Sequence, residues 1–250
     1  MKQKLFLIIT FLLCSNIYAQ KNDLQKLNLN GSVKTIREFQ HQAVIKDGGI
    51  LPANLEFSYY NTFNRQGNKI EDLKYNKEDK LDKKYVYKYN SSALRTEQYQ
   101  YDAEGKLLRK ITYTYDNKNN LIEDHSYNDE GISEKKYIYI YDDKGNLIQD
   151  MSFVPDTNLQ KKFTYIYDKA GNKTENSRYT ADGKLEKKVN YVYDEKKNVI
   201  EETEILANGS KISYYYKYEY DSRNNWVKKI NFKGKEAESI ILRSIAYFGL

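Results

Sequence analysis

The sequence has little of several residue types on which many folds and catalytic sites depend. It contains one cysteine, Cys14, two histidines, His41 and His125, two prolines, and one tryptophan, Trp226. Because Cys14 lies in the apolar N-terminal stretch, the chain that follows it has no thiol with which to form a disulfide. Few prolines also means few interrupted β-ladders. These absences exclude a disulfide-stapled domain and favour long regular strands.

The first residues have the order of a secretory signal peptide. Two lysines precede an apolar run from Leu5 to Cys14, and a polar stretch then leads to Ala19. This run is too short to span a bilayer as a retained helix. We therefore expect residues 1–19 to be a signal peptide. The mature protein should be exported to the periplasm, the outer surface or the medium.

Charge is abundant but nearly balanced. The chain has 41 Lys and Arg against 35 Asp and Glu, which gives a net charge of +6. The two signs alternate along the chain, which is typical of a soluble surface and predicts no nucleic-acid partner. The chain is not expected to span a membrane either, because Asp124, Asp150, Lys136 and Lys162 interrupt both faces of the predicted strands.

A sequence repeat of 26 residues covers most of the chain. An aromatic residue followed by Asn or Asp recurs at intervals of 26 residues five times and 27 residues once. These aromatic residues are Phe63, Tyr89, Tyr115, Tyr141, Tyr167, Tyr193 and Tyr220. A second aromatic or apolar marker follows each of them after 12 residues. The sequence therefore predicts about seven units with two turns each.

The turns and the segments between them are typical of β-hairpins. The motifs YDDKGNL from Tyr141 and YDAEGKL from Tyr101 place Asp at the start of a turn and Gly three residues later. A type I turn closed by a left-handed residue requires this pattern. Between turns, stretches such as KKYIYIYD from Lys135 alternate with the period of a strand. We predict an all-β antiparallel meander of about 14–16 strands, coiled into a spiral or closed sheet.

The alternation also predicts which residues share a face of the sheet. If each turn carries a β-bulge, the tyrosines lie on one face with Leu121, Leu147, Tyr127 and Phe153. The other face carries aliphatic residues such as Ile122 together with Thr, Ser and Asp. Since neither face is polar throughout, so wide a sheet should curl and bury the tyrosine face more than the other.

The two ends of the chain depart from the repeat. The residues from Gly31 match the first half of a unit, and an apolar stretch ends the sequence. Terminal repeats are expected to differ because they must cover the ends of the array. We predict a capping segment over residues 20–54, the repeat array over 55–232, and a closing strand over 233–250.

The units resemble the YD repeats of the RHS family. Those repeats read tyrosine-aspartate, two variable residues, glycine, a polar or basic residue and leucine, and they close on tyrosine-x-tyrosine-aspartate. The motifs at Tyr101 and Tyr141 and the later YIYD and YVYD motifs match this pattern over about Leu55 to Phe232. The resemblance implies a spiral or shell of strands, although each unit here is longer and has two turns. It does not imply toxin activity, because the self-cleaving core and toxin domain of the large members are missing.

Two weaker resemblances accompany this one. The YxxDGKL half of the unit looks like MORN-type repeats of exported bacterial proteins. The lysine-rich and tyrosine-rich style, with an Ala-Gln leader end at Ala19, resembles exported proteins of Bacteroidetes.

The sequence offers no catalytic or metal-binding motif. It contains no HExxH motif, no nucleophile elbow and no glycine-rich phosphate loop. The carboxylates are plentiful, but each lies in a repeated column or a turn where pairing or capping accounts for it. We therefore assign no catalytic residue, metal site or cofactor and expect a protein that is not an enzyme. The alternative is a glycan-directed hydrolase with its site at an irregular end of the array, near His41 or Trp226.

Recurrent tyrosines are the candidate ligand-binding residues. They are Tyr87, Tyr113, Tyr139, Tyr165, Tyr191 and Tyr218. The repeat places them in a row across the sheet. If buried, they form a core with hydroxyls at its rim, and if exposed, they can stack on sugar rings or a peptide. The sequence thus predicts a non-catalytic binding or scaffold module whose partner is a cell-surface glycan or a protein.

Overall fold

The structure, a computed structural model, describes residues 21–249, so the predicted signal peptide lies outside the described residues. One short helix, α1 (Asp23–Lys26), precedes sixteen strands. The strands are β1 (Val33–Lys46), β2 (Gly49–Phe63), β3 (Lys69–Tyr75), β4 (Leu81–Tyr89), β5 (Arg95–Asp102), β6 (Leu107–Tyr115), β7 (Leu121–Asn128), β8 (Ser133–Tyr141), β9 (Leu147–Phe153), β10 (Leu159–Tyr167), β11 (Lys173–Thr180), β12 (Leu185–Tyr193), β13 (Val199–Leu206), β14 (Lys211–Tyr220), β15 (Trp226–Lys233) and β16 (Glu236–Tyr247). Within residues 21–249, no helix has the length and apolar character needed to cross a membrane.

The sixteen strands form one closed barrel. Each strand pairs antiparallel with the next strand in the chain, and β16 pairs with β1 to complete the ring. The predicted all-β antiparallel meander is confirmed, and of the two predicted shapes the closed sheet is correct. Closure satisfies the outer ladders of β1 and β16, which would otherwise be unpaired edges.

The turns that begin with Asp or Asn have the predicted geometry. At Asp142, the amide of Gly145 donates to the Asp142 carbonyl at 3.0 Å, and the amide of Asn146 donates to the Asp142 carboxylate at 2.8 Å. Gly145 has φ +78°, the left-handed conformation that glycine adopts most easily. Some turns depart from the pattern: Ala93 and Lys197 take the same conformation without being glycine.

Most of the hairpins carry a β-bulge, which decides which face a residue occupies. Between β6 and β7, Tyr115 pairs with Leu121 but Thr114 pairs with Glu123. The extra residue reverses the alternation of β7 after Leu121, so that even-numbered residues then face inward. The tyrosines therefore share the inner face with Leu121, as expected. The expected placement of Tyr127 and Phe153 on that face is wrong, because the bulge lies inside the strand and turns both side chains outward.

The two mouths of the barrel differ. The N-terminal mouth is formed by the turns that lead from an even-numbered strand to the next odd-numbered strand, from β2–β3 to β14–β15. An N-terminal segment (residues 22–31) lies across this mouth. The amide of Leu24 donates to the Gly67 carbonyl at 3.0 Å, while the side chain of Asn28 donates to the Lys196 carbonyl at 2.6 Å. Since Gly67 and Lys196 belong to distant turns, the segment bridges the mouth.

A small apolar cluster holds the segment in place. Leu24 packs with Val33, Ile36 and Phe63, all of which are buried. The opposite end is the hairpin mouth, where β1 and β2 project beyond their other partners and pair only with each other around Asp47. The division into residues 20–54, 55–232 and 233–250 stays a prediction, and β2 runs across its first boundary.

Candidate functional site

The interior of the barrel is lined by the tyrosine face of the sheet. The hydroxyl of Tyr89 donates to Asp23 of the N-terminal segment at 3.0 Å, which places this face toward the mouth that the segment covers. On alternate positions, Ile140, Ile166 and Val192 point outward and are 40%, 54% and 49% exposed. The tyrosines therefore do not form a stacking platform on the outer face.

The interior of a barrel widens as the number of strands rises. Side chains fill the interior of an eight-stranded barrel, whereas sixteen strands enclose a wider one. The contacts between strands are mainly those between neighbours in the sheet. The interior of the described barrel is accordingly occupied by side chains that extend from the wall. This arrangement gives a polar, tyrosine-rich lining.

Four of the candidate tyrosines make equivalent hydrogen bonds. In each case the hydroxyl donates to a carboxylate or amide oxygen on the preceding strand. The pairs are Tyr87–Asp72 at 2.7 Å, Tyr113–Gln98 at 3.0 Å, Tyr139–Asp124 and Tyr165–Asp150. The structure thus brings the predicted row together and adds a partner column that sequence reasoning explained only as ladder charge.

The other two candidates differ. Tyr191 hydrogen-bonds Asn176 at the equivalent position, but here the amide of Asn176 donates, and its Oδ1 has no partner among the described residues. The Tyr218 hydroxyl instead donates to the Val199 carbonyl at 2.7 Å, and the row is continued by Tyr216, which hydrogen-bonds Glu202. The β13–β14 hairpin lacks the bulge found in the equivalent hairpins, so the tyrosine positions shift along β14.

Burial controls the charge state of this lining. Burial and the neighbouring Asp124 raise the pKa of Tyr139, and burial and Asp150 likewise raise the pKa of Tyr165. Burial also raises the pKa of Asp124 and of Asp150, and the tyrosine hydrogen bonds offset this only in part. The row therefore consists of neutral tyrosine hydroxyls and of carboxyl groups whose ionised form is disfavoured by burial.

Cations lie against the faces of the tyrosine rings. The Lys173 ammonium is 5.1 Å from the ring centroids of both Tyr165 and Tyr191, and the Arg95 guanidinium is 4.2 Å from that of Tyr87. Such contacts stabilise a desolvated cation. Burial nevertheless lowers the pKa of Lys173, because the hydration lost inside the barrel is not fully replaced.

Ion pairs surround the hairpin mouth. They join inward-pointing basic residues near the ends of the strands to acidic residues of the adjoining turns and strands. These pairs include Lys74–Asp82 at 3.1 Å, Arg109–Glu134 at 2.5 Å and Lys187–Glu204 at 2.6 Å. The side chains of these pairs are partly exposed, so the rim of this mouth is polar.

Asp23 anchors the N-terminal segment at the other mouth. Its carboxylate accepts hydrogen bonds from Arg95 at 3.0 Å, from the Lys69 amide at 2.9 Å and from Tyr89. Burial pushes the pKa of Asp23 up, but the charge of Arg95 and the Lys69 hydrogen bond lower it below its usual value. A cavity of about 360 Å³ adjoins this contact, with Lys26 on its wall.

His41 and Trp226, named for the hydrolase alternative, lie apart. His41 Nδ1 is 3.1 Å from the Ala53 carbonyl on the projecting hairpin, whereas Trp226 begins β15 at the N-terminal mouth. Within residues 21–249, no group of three or more His, Cys, Asp or Glu residues could hold a metal ion.

His125 has partners that sequence reasoning missed. Its Nε2 lies 2.8 Å from both Ser133 Oγ and Asp156 Oδ1, while its Nδ1 contacts the Tyr127 hydroxyl at 2.9 Å. A serine–histidine–aspartate relay requires the serine and the aspartate on opposite ring nitrogens. Here both share one nitrogen, so the cluster serves to tie the β9–β10 turn to β8. No sequence pattern links residues so far apart.

Comparisons with known proteins bear on the fold. A family model described as "Uncharacterised protein" matches residues 30–169. No curated protein sequence matches the chain. The structure of a porin-like protein from Bacteroides uniformis is similar with a TM-score of 0.58 and 10% identity, over 87% of this chain and 98% of that one. A porin-like protein from Bacteroides vulgatus gives a TM-score of 0.42 and 13% identity, over 87% and 99% of the two chains.

The likeness to the B. uniformis protein shows a shared fold alone. It also corrects one expectation: the suspected membership of the YD-repeat, or RHS, family is wrong. The matching family model is a different one, and the structural neighbour is porin-like. The motifs at Tyr101 and Tyr141 misled because any meander needs Asp and Gly at its turns and alternating residues in its strands.

Proposed function

For this chain, which belongs to the family described as "Uncharacterised protein", we propose the function of an exported, non-catalytic barrel that binds a polar ligand in its interior. Carbohydrate is the favoured ligand class, and a peptide is the alternative. The observation that carries this proposal is the inner row of tyrosines, each with its hydroxyl on a carboxylate or amide. Aromatic faces and fixed hydrogen-bonding groups together suit a sugar ring.

The arrangement of the two mouths supports a route for the ligand. The N-terminal segment covers one mouth through Asp23 and Asn28, whereas a rim of ion pairs surrounds the other. A polar molecule would therefore enter through the hairpin mouth and meet Tyr139 and Tyr165 on the inner wall. The porin-like neighbour is compatible with a barrel that admits polar solutes.

The proposal includes two points about the chain itself. We propose that the wall derives from about seven copies of a 26-residue unit with two hairpins, since the turns at Asp142 and Asp168 repeat the same contacts. We also propose export, from the order of residues 1–19. Fractionation of cells that express the full chain would test the second point: protein found only in the cytoplasm would contradict it.

The hydrolase alternative gains no support from the geometry. His41 contacts a backbone carbonyl on the hairpin, and Trp226 lies on the inner wall. A glycosidase of the usual kind needs two carboxyl groups about 5–10 Å apart across a substrate site. The contacts of His41 with the Ala53 carbonyl and of Trp226 with Arg243 are not those of a general acid or a nucleophile, so we favour a binding role.

The emission of Trp226 provides the test. It is the one tryptophan of the chain and lies in the barrel interior, so a ligand that enters should change its fluorescence. We would titrate the protein with panels of oligosaccharides and peptides and repeat the titration with Tyr165→Ala. The matched control is Tyr179→Ala, on the neighbouring strand and the outer face. Thermal unfolding would show that both variants are folded.

The expected result is binding that weakens about tenfold or more in Tyr165→Ala and is unchanged in Tyr179→Ala, because a lost ring contact costs on the order of 1–2 kcal/mol. Weakening in Tyr179→Ala alone would place the ligand on the outer face. No binding across both panels would overturn the proposed function.

A further inference from the structure

A group of cationic and aromatic side chains on the inner wall lies outside the tyrosine–carboxylate row. The Arg243 guanidinium is 3.2 Å from the ring centroid of Trp226. Its Nε donates to Glu38 at 2.6 Å, which joins β16 to β1. The Arg243 side chain is only 8% exposed, yet its Nη1 is buried without any hydrogen-bond partner.

Lys229 is the second cation of this group. Its ammonium lies 4.0 Å from the ring centroid of Tyr216 and 5.9 Å from that of Tyr218. Burial lowers the pKa of Lys229, Glu202 and Glu38 oppose this effect, and the charge of Arg243 adds to it. The two cations are therefore close enough to repel each other.

The nearby carboxylates are already engaged. Glu38 accepts from Arg243, and Glu202 hydrogen-bonds the Tyr216 hydroxyl. Among residues 21–249, the Lys229 ammonium forms no ion pair within 4.0 Å. A buried donor without a partner is costly, and a desolvated charge without a counter-ion is more so. The wall thus presents one unpartnered N–H group of Arg243 and the ammonium of Lys229 beside aromatic faces.

We infer that Arg243 and Lys229 bind the anionic group of an acidic carbohydrate, with the sugar ring against Tyr216 and Tyr218. This inference rests on the proposed function and names its ligand class. The guanidinium offers a directed N–H and the ammonium a mobile point charge, a combination that suits a carboxylate or a sulfate ester. The aromatic rings favour a ligand with apolar ring faces over a free inorganic ion.

The experiment compares anionic probes with neutral ones of the same shape. Trigalacturonic acid and galactose 6-sulfate are the anionic probes, and the methyl ester of the first and galactose are their neutral matches. Binding would be measured by calorimetry and by Trp226 emission, for the wild type, Arg243→Gln and Lys229→Gln. The matched control is Lys228→Gln, the adjacent residue, which pairs with Glu219 at 2.8 Å on the outer face.

We expect at least one anionic probe to bind about tenfold or more tightly than its neutral match, because a charge-assisted hydrogen bond contributes on the order of 1.5–3 kcal/mol. Lys229→Gln should abolish this preference, and Lys228→Gln should keep it. Which of the two anionic probes binds distinguishes a carboxylate from a sulfate ligand. Lys229→Arg, which keeps the charge, should retain the preference if Lys229→Gln is poorly folded.

Two results separate this inference from the function on which it rests. Equal binding of acid and ester that is still weakened by Tyr165→Ala would overturn the anionic site and leave interior binding standing. An unchanged preference in folded Lys229→Gln and Arg243→Gln would also overturn it. Absence of binding by every probe and by the wider panels would overturn both.

Discussion

The carboxylate of Asp23 lies 3.0 Å from the guanidinium of Arg95, and this contact ties the N-terminal segment to the barrel wall 72 residues further along the chain. Both side chains are largely withdrawn from solvent, with 11% and 22% exposure. Each therefore depends on the other, because either charge left alone would be poorly solvated.

Asp23→Asn should release the segment from the mouth at a cost of about 3 kcal/mol, the usual penalty for breaking one partner of a buried pair. Hydrogen exchange at the Leu24 amide, which donates to Gly67, measures the release. The control is Asp47→Asn at the exposed hairpin tip. Because the folded pKa of Asp23 is lowered, its stabilisation exists above the unfolded value near 3.9 and is lost as pH falls through the folded value. Protection at Leu24 that is unaffected by the substitution would contradict this role.

Asp124→Asn should stabilise the barrel at neutral pH by about 1 kcal/mol, because an amide oxygen can still accept from Tyr139 and no charge is desolvated. Gln98 already occupies the equivalent position. The folded pKa of Asp124 is raised, so its protonated form favours folding below the unfolded pKa and this benefit is lost as pH rises. Denaturation at pH 7 and pH 3 should show the gain only at pH 7. Asp142→Asn, in a turn, is the control, and a loss of stability at pH 7 would contradict the argument.

Lys173→Leu should also raise the free energy of unfolding at pH 7, by about 1 kcal/mol, because an apolar side chain replaces a partly buried ammonium that forms no ion pair within residues 21–249. Leu147 occupies the equivalent position on β9. Since the folded pKa of Lys173 is lowered, wild-type stability should rise with pH toward the unfolded value near 10.4, and the variant should lack this rise. Chemical denaturation across this range tests it, with Lys169→Leu in the adjoining turn as control. A destabilised Lys173→Leu would show that the ammonium supports the fold.

Lys197→Gly should stabilise the β12–β13 turn. Lys197 has φ +64°, a conformation that costs a non-glycine residue about 1–2 kcal/mol and glycine little, so the net gain should be about 0.5–1 kcal/mol after the added chain entropy. Denaturant unfolding measures the gain. Lys144→Gly, at a turn position without positive φ, should instead lower stability. If both variants lose stability equally, the left-handed geometry is not what limits this turn.

The strands and most turns could be predicted because their signals are local. Alternation around Tyr139 and the Asp142–Gly145 spacing each require only neighbouring residues, and both features appear in the structure. The row of tyrosines followed from the same period. Its role could not be read in the same way, because the sequence does not show which side of a curled sheet becomes the interior.

Bulges and long-range contacts account for the remaining differences. Tyr127 turned outward, and Tyr216 replaced Tyr218 in the row, because one residue more or less in a ladder reverses the parity of a strand. The placement of Asp23 against Arg95 depends on where the N-terminal segment meets the completed barrel. The sequence repeat does not indicate this contact between the N-terminal segment and the barrel wall.

Closure by β1 and β16 has a consequence for the order of folding. Every other ladder joins strands that are consecutive in the chain and can zip up from a short hairpin, whereas Glu38 and Arg243 are 205 positions apart. The entropy of bringing such remote segments together must be supplied before their contacts form, so this seam should be the final and slowest step of assembly. A chain trapped before that step would expose two unpaired strand edges that can associate with other chains. It would also lack the Arg243–Glu38 contact, because the two residues would still lie on separate edges of the sheet.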